Sequence, residues 1–191
     1  MTKYILLFVI TVCSLTVDAQ EKEKSKKSCS CAFSSINQVG WLEGSKGSSF
    51  QLHTINGLRY KTWFAGIGAG LEYYYVRSIP VFLDIRKDIL NKPNSPFVYV
   101  DGGIHFGWER DKDKDRLGRS GSIDNGPYFD AGLGLKFAVN KNALLLSVGY
   151  SHKYVKETYE FLNCGIINCT TNSSTFRYRF NRLSLKAAWQ L

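Results

Sequence analysis

The sequence predicts an all-β protein, an eight-stranded antiparallel transmembrane β-barrel. Three observations predict it. Segments of about ten residues alternate between apolar positions and positions held by polar residues or glycine. The polar positions carry acidic and basic residues in equal number. The connections between segments are short at one end and longer at the other.

The clearest segment is Phe97 to Trp108. Val98, Val100, Gly102, Ile104, Phe106 and Trp108 share one face of a strand; Phe97, Tyr99, Asp101, Gly103, His105 and Gly107 share the other. Extended, the segment reaches roughly 40 Å, and a tilt near 45° leaves about 28 Å. That is close to the thickness of a bilayer's hydrocarbon core.

Taken in order, residues 1–19 read as a signal peptide. Lys3 is the basic start, Ile5 to Val17 the apolar region, and Val17-Asp18-Ala19 a small-residue cleavage site. Residues 20–35 are rich in Lys and Ser, lack periodicity and read as a flexible periplasmic tail. The barrel is expected over 36–191. Its strands are placed at about Asn37 to Glu43, Ser49 to Ile55, Tyr60 to Tyr75, Ile79 to Ile89, Phe97 to Trp108, Tyr128 to Val139, Ala143 to Lys156, and a last strand closing the chain through Leu183, Leu185, Ala187, Trp189 and Leu191. Ser45-Lys46-Gly47, Asn56-Gly57, Asn91 to Pro96 and Asn140-Lys141-Asn142 are the turns between them. Glu109 to Gly126 and Thr158 to Thr175 are the long loops. Upstream of Asn181 the alternation breaks, because Phe176, Tyr178 and Phe180 fall on the polar register; a bulge or a strand protruding above the membrane explains it.

Alternation alone also suits a soluble barrel with its apolar face inward. Glycine is costly in a strand unless something approaches closely, as in the crowded interior of a small barrel. The glycine-rich faces carry Glu72, Asp84, Asp88, Asp101 and Asp130 against Arg86, Lys136, Lys153, Arg182 and Lys186. With His105 they form a candidate lumen network, since buried charges need partners. An even strand number leaves both termini periplasmic and the two long loops outside. Trp63, Phe137 and Trp189 then fall near the periplasmic rim; Tyr73, Trp108, Phe129 and Tyr154 fall near the outer rim.

Ile55-Asn56-Gly57 leading into Trp63 to Leu71, Ile79 to Arg86, and Pro96 to Gly103 resembles small outer-membrane β-barrel proteins of the Bacteroidota. The resemblance covers about Asn37 to Leu191. It implies an OmpA/OmpX-type barrel without assigned activity, set in outer-membrane lipid of a Gram-negative bacterium and inserted by the barrel-assembly machinery. The C-terminal assembly signal of such proteins ends in an aromatic residue; Trp189 fits it and Leu191 departs from it.

The 191-residue chain has a net charge of +9. On an exported protein that suits acidic lipid headgroups or glycans, and no motif supports nucleic acid. Asp111, Asp113 and Asp115 have the spacing that opens a calcium loop, but Arg116 and Ser122 stand where Gly and Glu belong. Ser151 and His152 are adjacent, so one strand sends them to opposite faces, which is no nucleophile–base pair. His105 shares a face with Asp101 and reads as a lumen histidine satisfied by a neighbouring carboxylate. Cys164 and Cys169 in the last outer loop are candidates for a disulfide. Cys29-Ser30-Cys31 offers two ligands to a soft metal, too few alone.

No catalytic residue, cofactor or metal is assigned. The expected protein is a monomer with a filled lumen that acts through its outer loops, in surface binding, or through envelope integrity; no extracellular ligand follows from the residues. The other classes carried are a lipid-modifying outer-membrane enzyme and a secreted lipocalin-like binding barrel, the latter purifying without detergent.

Overall fold

Alternating segments of this length pair edge to edge until no edge is left. The structure is a computed structural model and describes residues 31–108, 120–164 and 169–191. The strands are β1 (Cys31–Gly44), β2 (Gly47–Tyr60), β3 (Trp63–Glu72), β4 (Ser78–Asp88), β5 (Ser95–Gly107), β6 (Ser120–Asp124), β7 (Gly126–Val139), β8 (Asn142–Cys164) and β9 (Cys169–Gln190). Each pairs antiparallel with its neighbour, and β9 returns to pair with β1. Short β6 continues the line of β7 along β8, so the closed sheet has eight staves. Closure satisfies the backbone groups that lipid cannot. The architecture is an eight-stranded antiparallel transmembrane barrel.

The two faces are opposite in character. Ile67, Leu83, Leu133, Leu183 and Leu185 point outward, each more than half exposed, while Asp84, Asp101 and Asp130 point inward at 0%. A soluble barrel would reverse this. Among the described residues no helix is long and apolar enough to cross a membrane; this chain crosses with strands.

The strand boundaries depart from expectation in five places, the first being β6, which lies inside the expected loop Glu109 to Gly126 and pairs with β8. Asn56-Gly57 lies inside β2, not at a turn. The turn is Lys61-Thr62, with Lys61 at φ 53°. Gly57 instead permits close approach to β3, since a Cβ there would press on the Ala65 carbonyl and lie 2.5 Å from Gly66 Cα. β1 begins at Cys31, so the end of the expected tail, Cys31 to Ser35, is strand; it pairs with Tyr60 to Asn56, which became available once β2 ran on. Ser35 also exchanges backbone bonds with Leu191, of 3.2 and 2.8 Å. β3 stops at Glu72, and Tyr75 turns the chain at φ 64°. Finally, the expected loop from Thr158 to Thr175 is a hairpin over its described part: β8 and β9 keep one register from Ala143↔Gln190 to Cys164↔Cys169. No bulge interrupts it, so the aromatic residues on the inward parity belong to a protruding strand.

A bulge does occur elsewhere. β7 pairs with β8 as Tyr128↔Lys153, whereas β6 pairs as Asp124↔Lys156. Asn125, Gly126 and Pro127 therefore oppose only Tyr154 and Val155. Pro127 has no N–H to give the ladder. The Tyr154 carbonyl is met instead by His105 Nε2 at 2.5 Å, which fixes the proton on that nitrogen. The expected carboxylate partner of His105 is thus replaced by a backbone carbonyl.

Singly placed spin labels along β5 should report this geometry. At Val98, Val100, Ile104 and Phe106 they should collide often with oxygen and rarely with a polar nickel reagent. At Tyr99, Asp101 and His105 they should be shielded from both. A period-two signal of opposite phase would refute the inside–outside assignment.

Candidate functional site

The lumen is the candidate site, and its side chains stack in layers. At the end where β1 begins and β9 finishes, Lys136 pairs with Asp88, and Arg59 stands 3.8 Å from the same carboxylate. Arg59 also donates to Gln190 at 2.9 Å, which donates to Ser34 at 2.8 Å. Above them lies an apolar layer that includes Ile36, Ile55, Phe64, Phe97, Leu145 and Ala188.

The next layer is set by register. Asp84, Asp101 and Asp130 are direct cross-strand neighbours on β4, β5 and β7. Like charges placed so repel. Arg86 answers on one side, its Nε and Nη2 donating to Asp84 at 2.9 and 2.7 Å, with Nη2 also reaching Gln38 at 3.1 Å. Lys186 answers on the other, 3.3 Å from Asp101 and 2.9 Å from Asp130. The Tyr99 hydroxyl donates to Asp130 at 2.7 Å, and the Lys186 ammonium sits 4.4 Å from the Tyr99 ring centroid.

Gln51, His53, Phe82 and Tyr128 separate this layer from the one above. His53 packs 5.0 Å from Phe82 and takes a 3.0 Å bond with Gln38. Above, Glu72 lies between Lys153, at 3.0 Å, and Arg182. Ser78 accepts from Lys153 and Ser151 from Arg182, both at 2.7 Å. The central layer holds one carboxylate more than its cations; the upper layer holds one cation more than its carboxylates.

An apolar cap closes the opposite end. Leu42, Tyr74, Val155 and Phe180 are buried there, with Val76, Ile123 and Tyr178 against them. The Arg182 guanidinium lies 5.1 Å from the Tyr74 ring, so the cap rests on the charged layer through a cation–π contact. Above the cap, Glu157 accepts from Tyr159 at 2.6 Å and from Tyr75 at 3.3 Å. Burial, then Tyr178 and the Glu157 charge, hold the Tyr75 phenol above its ordinary range, which keeps it a donor.

The structure brings Glu72, Lys153 and Arg182 into one group, Asp84, Arg86, Asp101, Asp130 and Lys186 into a second, and Asp88 and Lys136 into a third. His105 joins none of them by a hydrogen bond. Arg59, Gln38 and Tyr99 join these groups without belonging to the expected network. Arg59 was hidden by the misplaced turn; Gln38 and Tyr99 carry no formal charge, although their inward parity was readable.

Ser151 and His152 face opposite sides of the wall: His152 bonds Asn181 at 2.8 Å on the outside. Among the described residues no serine is hydrogen-bonded to a histidine, and no three His, Cys, Asp or Glu side chains converge as a metal site. Asp111, Asp113 and Asp115 lie outside the described residues, as do the signal segment 1–19 and Cys29. Cys31 is disulfide-bonded, which removes its thiolate as a metal ligand. Cys164 and Cys169 are Cα partners at the end of the β8–β9 ladder.

A closed eight-strand wall, apolar outside and ion-paired inside, defines the fold of an outer-membrane barrel. The comparisons agree. The chain is similar in structure to the outer membrane protein OprG from Pseudomonas aeruginosa, with a TM-score of 0.57 and 11% identity over 83% of this chain and 95% of that one. It is similar to Neisserial surface protein A, NspA, with a TM-score of 0.52 and 13% identity over 84% and 97%. At these identities the likeness carries the fold alone, and it carries no taxonomic origin. No protein-family model and no curated protein matches the sequence.

The Glu72 group gives a stability test. Replacing Glu72 by Gln leaves Lys153 and Arg182 buried without their carboxylate and should cost about 3–5 kcal/mol in urea unfolding from vesicles. Adding Lys153→Gln should recover part of the loss. An unchanged midpoint in Glu72→Gln would show that the group does not support the barrel.

Proposed function

We propose that this chain is a non-conducting, non-catalytic, monomeric protein of a Gram-negative outer membrane, inserted by the barrel-assembly machinery. It acts by holding the β8–β9 hairpin at the cell surface, for surface binding, and by lending its stiff wall to the envelope. The observation that carries this is the contrast between a blocked lumen and an overlong hairpin. β8 has 23 residues. At about 3.3 Å each and a 45° tilt it rises about 50 Å, roughly twice the apolar band of about 25 Å. The excess stands outside, because β1 begins and β9 finishes at the other end. Below it the side chains of the apolar cap and of the ion-paired layers are buried, which supports a filled lumen.

Favouring a non-catalytic reading, the groups a lipid-modifying enzyme would use are either buried beneath the cap or split across the wall. Favouring a cross-link in the hairpin, directly opposed strand residues have Cα atoms about 4.5–5.5 Å apart, within the span of a disulfide. A Cys164–Cys169 bridge would pin the end of the described ladder.

Planar-bilayer recordings of the pure protein should show no large steady pore; stable high conductance would overturn the reading. Mass mapping of freshly isolated, unreduced protein should recover Cys164 and Cys169 joined in one peptide. Finding both alkylated without reduction would remove the bridge.

A further inference from the structure

We propose that the outward face at the root of the β8–β9 hairpin binds the phosphate of a lipid headgroup in the outer leaflet, through Arg177 and Arg179. The proposal rests on the orientation above, with the hairpin outside.

The outward parity of β9 runs Trp189, Ala187, Leu185, Leu183 and then Asn181, Arg179, Arg177. Its partners on β8 run Leu144, Leu146, Val148, Tyr150 and then His152, Tyr154, Lys156. No bulge intervenes, so one continuous face changes from apolar to basic at one level. That level follows from geometry. A strand tilted near 45° climbs about 2.3 Å per residue. Starting from Trp189 at the periplasmic rim, an apolar band of about 25 Å ends about eleven residues up. This is the level of Arg179 and of Tyr154, which stand opposite each other. Tyrosine belongs at that interface.

The neighbouring groups are already engaged. Lys156 pairs with Asp124 at 2.8 Å, and His152 bonds Asn181. Glu157 points to the other side of the wall, toward Tyr75 and Tyr159. Arg177 and Arg179 are exposed and form no ion pair among the described residues. Two residues apart on one face, their side chains start about 7 Å apart, a spacing from which two guanidinium forks can grip one phosphate. Their long stems allow the charge to settle at headgroup depth while the chain beneath faces acyl tails.

The test uses the full chain folded in neutral detergent micelles, titrated with phosphatidic acid and, for reference, phosphatidylcholine, with bound lipid read by native mass spectrometry. Phosphatidic acid should bind the tighter of the two. Arg177→Gln and Arg179→Gln should each weaken it about fivefold, and the double variant should bring it to the phosphatidylcholine level. Lys87→Gln, which removes a cation 4.8 Å from the Trp63 ring at the opposite rim, should change nothing. Three results would overturn the proposal: a double variant that keeps the preference, an equal loss in Lys87→Gln, or displacement of the lipid by millimolar inorganic phosphate, which would mark a site for a free ion. Heat-modifiable electrophoretic mobility separates the two levels of failure. A folded barrel without preference defeats this proposal alone; a chain that gives no heat-modifiable barrel defeats the membrane reading with it.

Discussion

In hydrocarbon a backbone N–H or C=O finds no water, so each must find a partner in the protein. Nearly everything else in this molecule follows from that. A sheet meets the requirement only by closing, which here means β9 returning to β1. Closing eight strands makes an interior just wide enough for side chains. Half of every strand then points into a narrow space and half into lipid. The inward half must pack without voids, which brings glycines at the crossings. It must also neutralise every charge it holds. Where β7 lacks a donor, at Pro127, the facing Tyr154 carbonyl is met by a buried histidine rather than left open to lipid.

Charge in the lumen is organised by strand register more than by local sequence. Asp84, Asp101 and Asp130 come from three strands yet form one row, because the β4–β5 and β5–β7 registers align them. Like charges in such a row repel, and Arg86 and Lys186 answer them. Among the described residues the same cations pair with no other carboxylate. Acidic row and basic answer therefore depend on each other, and a one-residue slip of β5 would turn Asp101 out into lipid. Apolar layers above and below keep water from competing for these pairs.

Period-two alternation made the barrel legible before any coordinates, since the wall must alternate at every strand. The ionisable lumen residues were legible for the same reason: inward parity plus charge leaves little choice. What alternation does not encode is where a strand ends. Asn56-Gly57 has the composition of a turn, but the glycine serves close packing against Gly66. Lys61, an ordinary residue, makes the turn at φ 53°, where β2 ends. Likewise Thr158 to Thr175 reads as polar loop when only composition is weighed. Its pairing depends on cross-strand partners many residues away. The inward aromatic residues Phe176, Tyr178 and Phe180 are the visible sign; Phe180, with Tyr178 against it, caps the lumen.

The unbroken register of β8 and β9 has a mechanical side. A molecule that grips the hairpin tip pulls both strands the same way, so the ladder between them carries little of the load. The tension passes down to the outer flanks of the pair, where β8 meets β7 and β9 meets β1. There the hydrogen bonds lie across the pull and share it in shear, many at once. A tether anchored in this way holds until a whole stave slides.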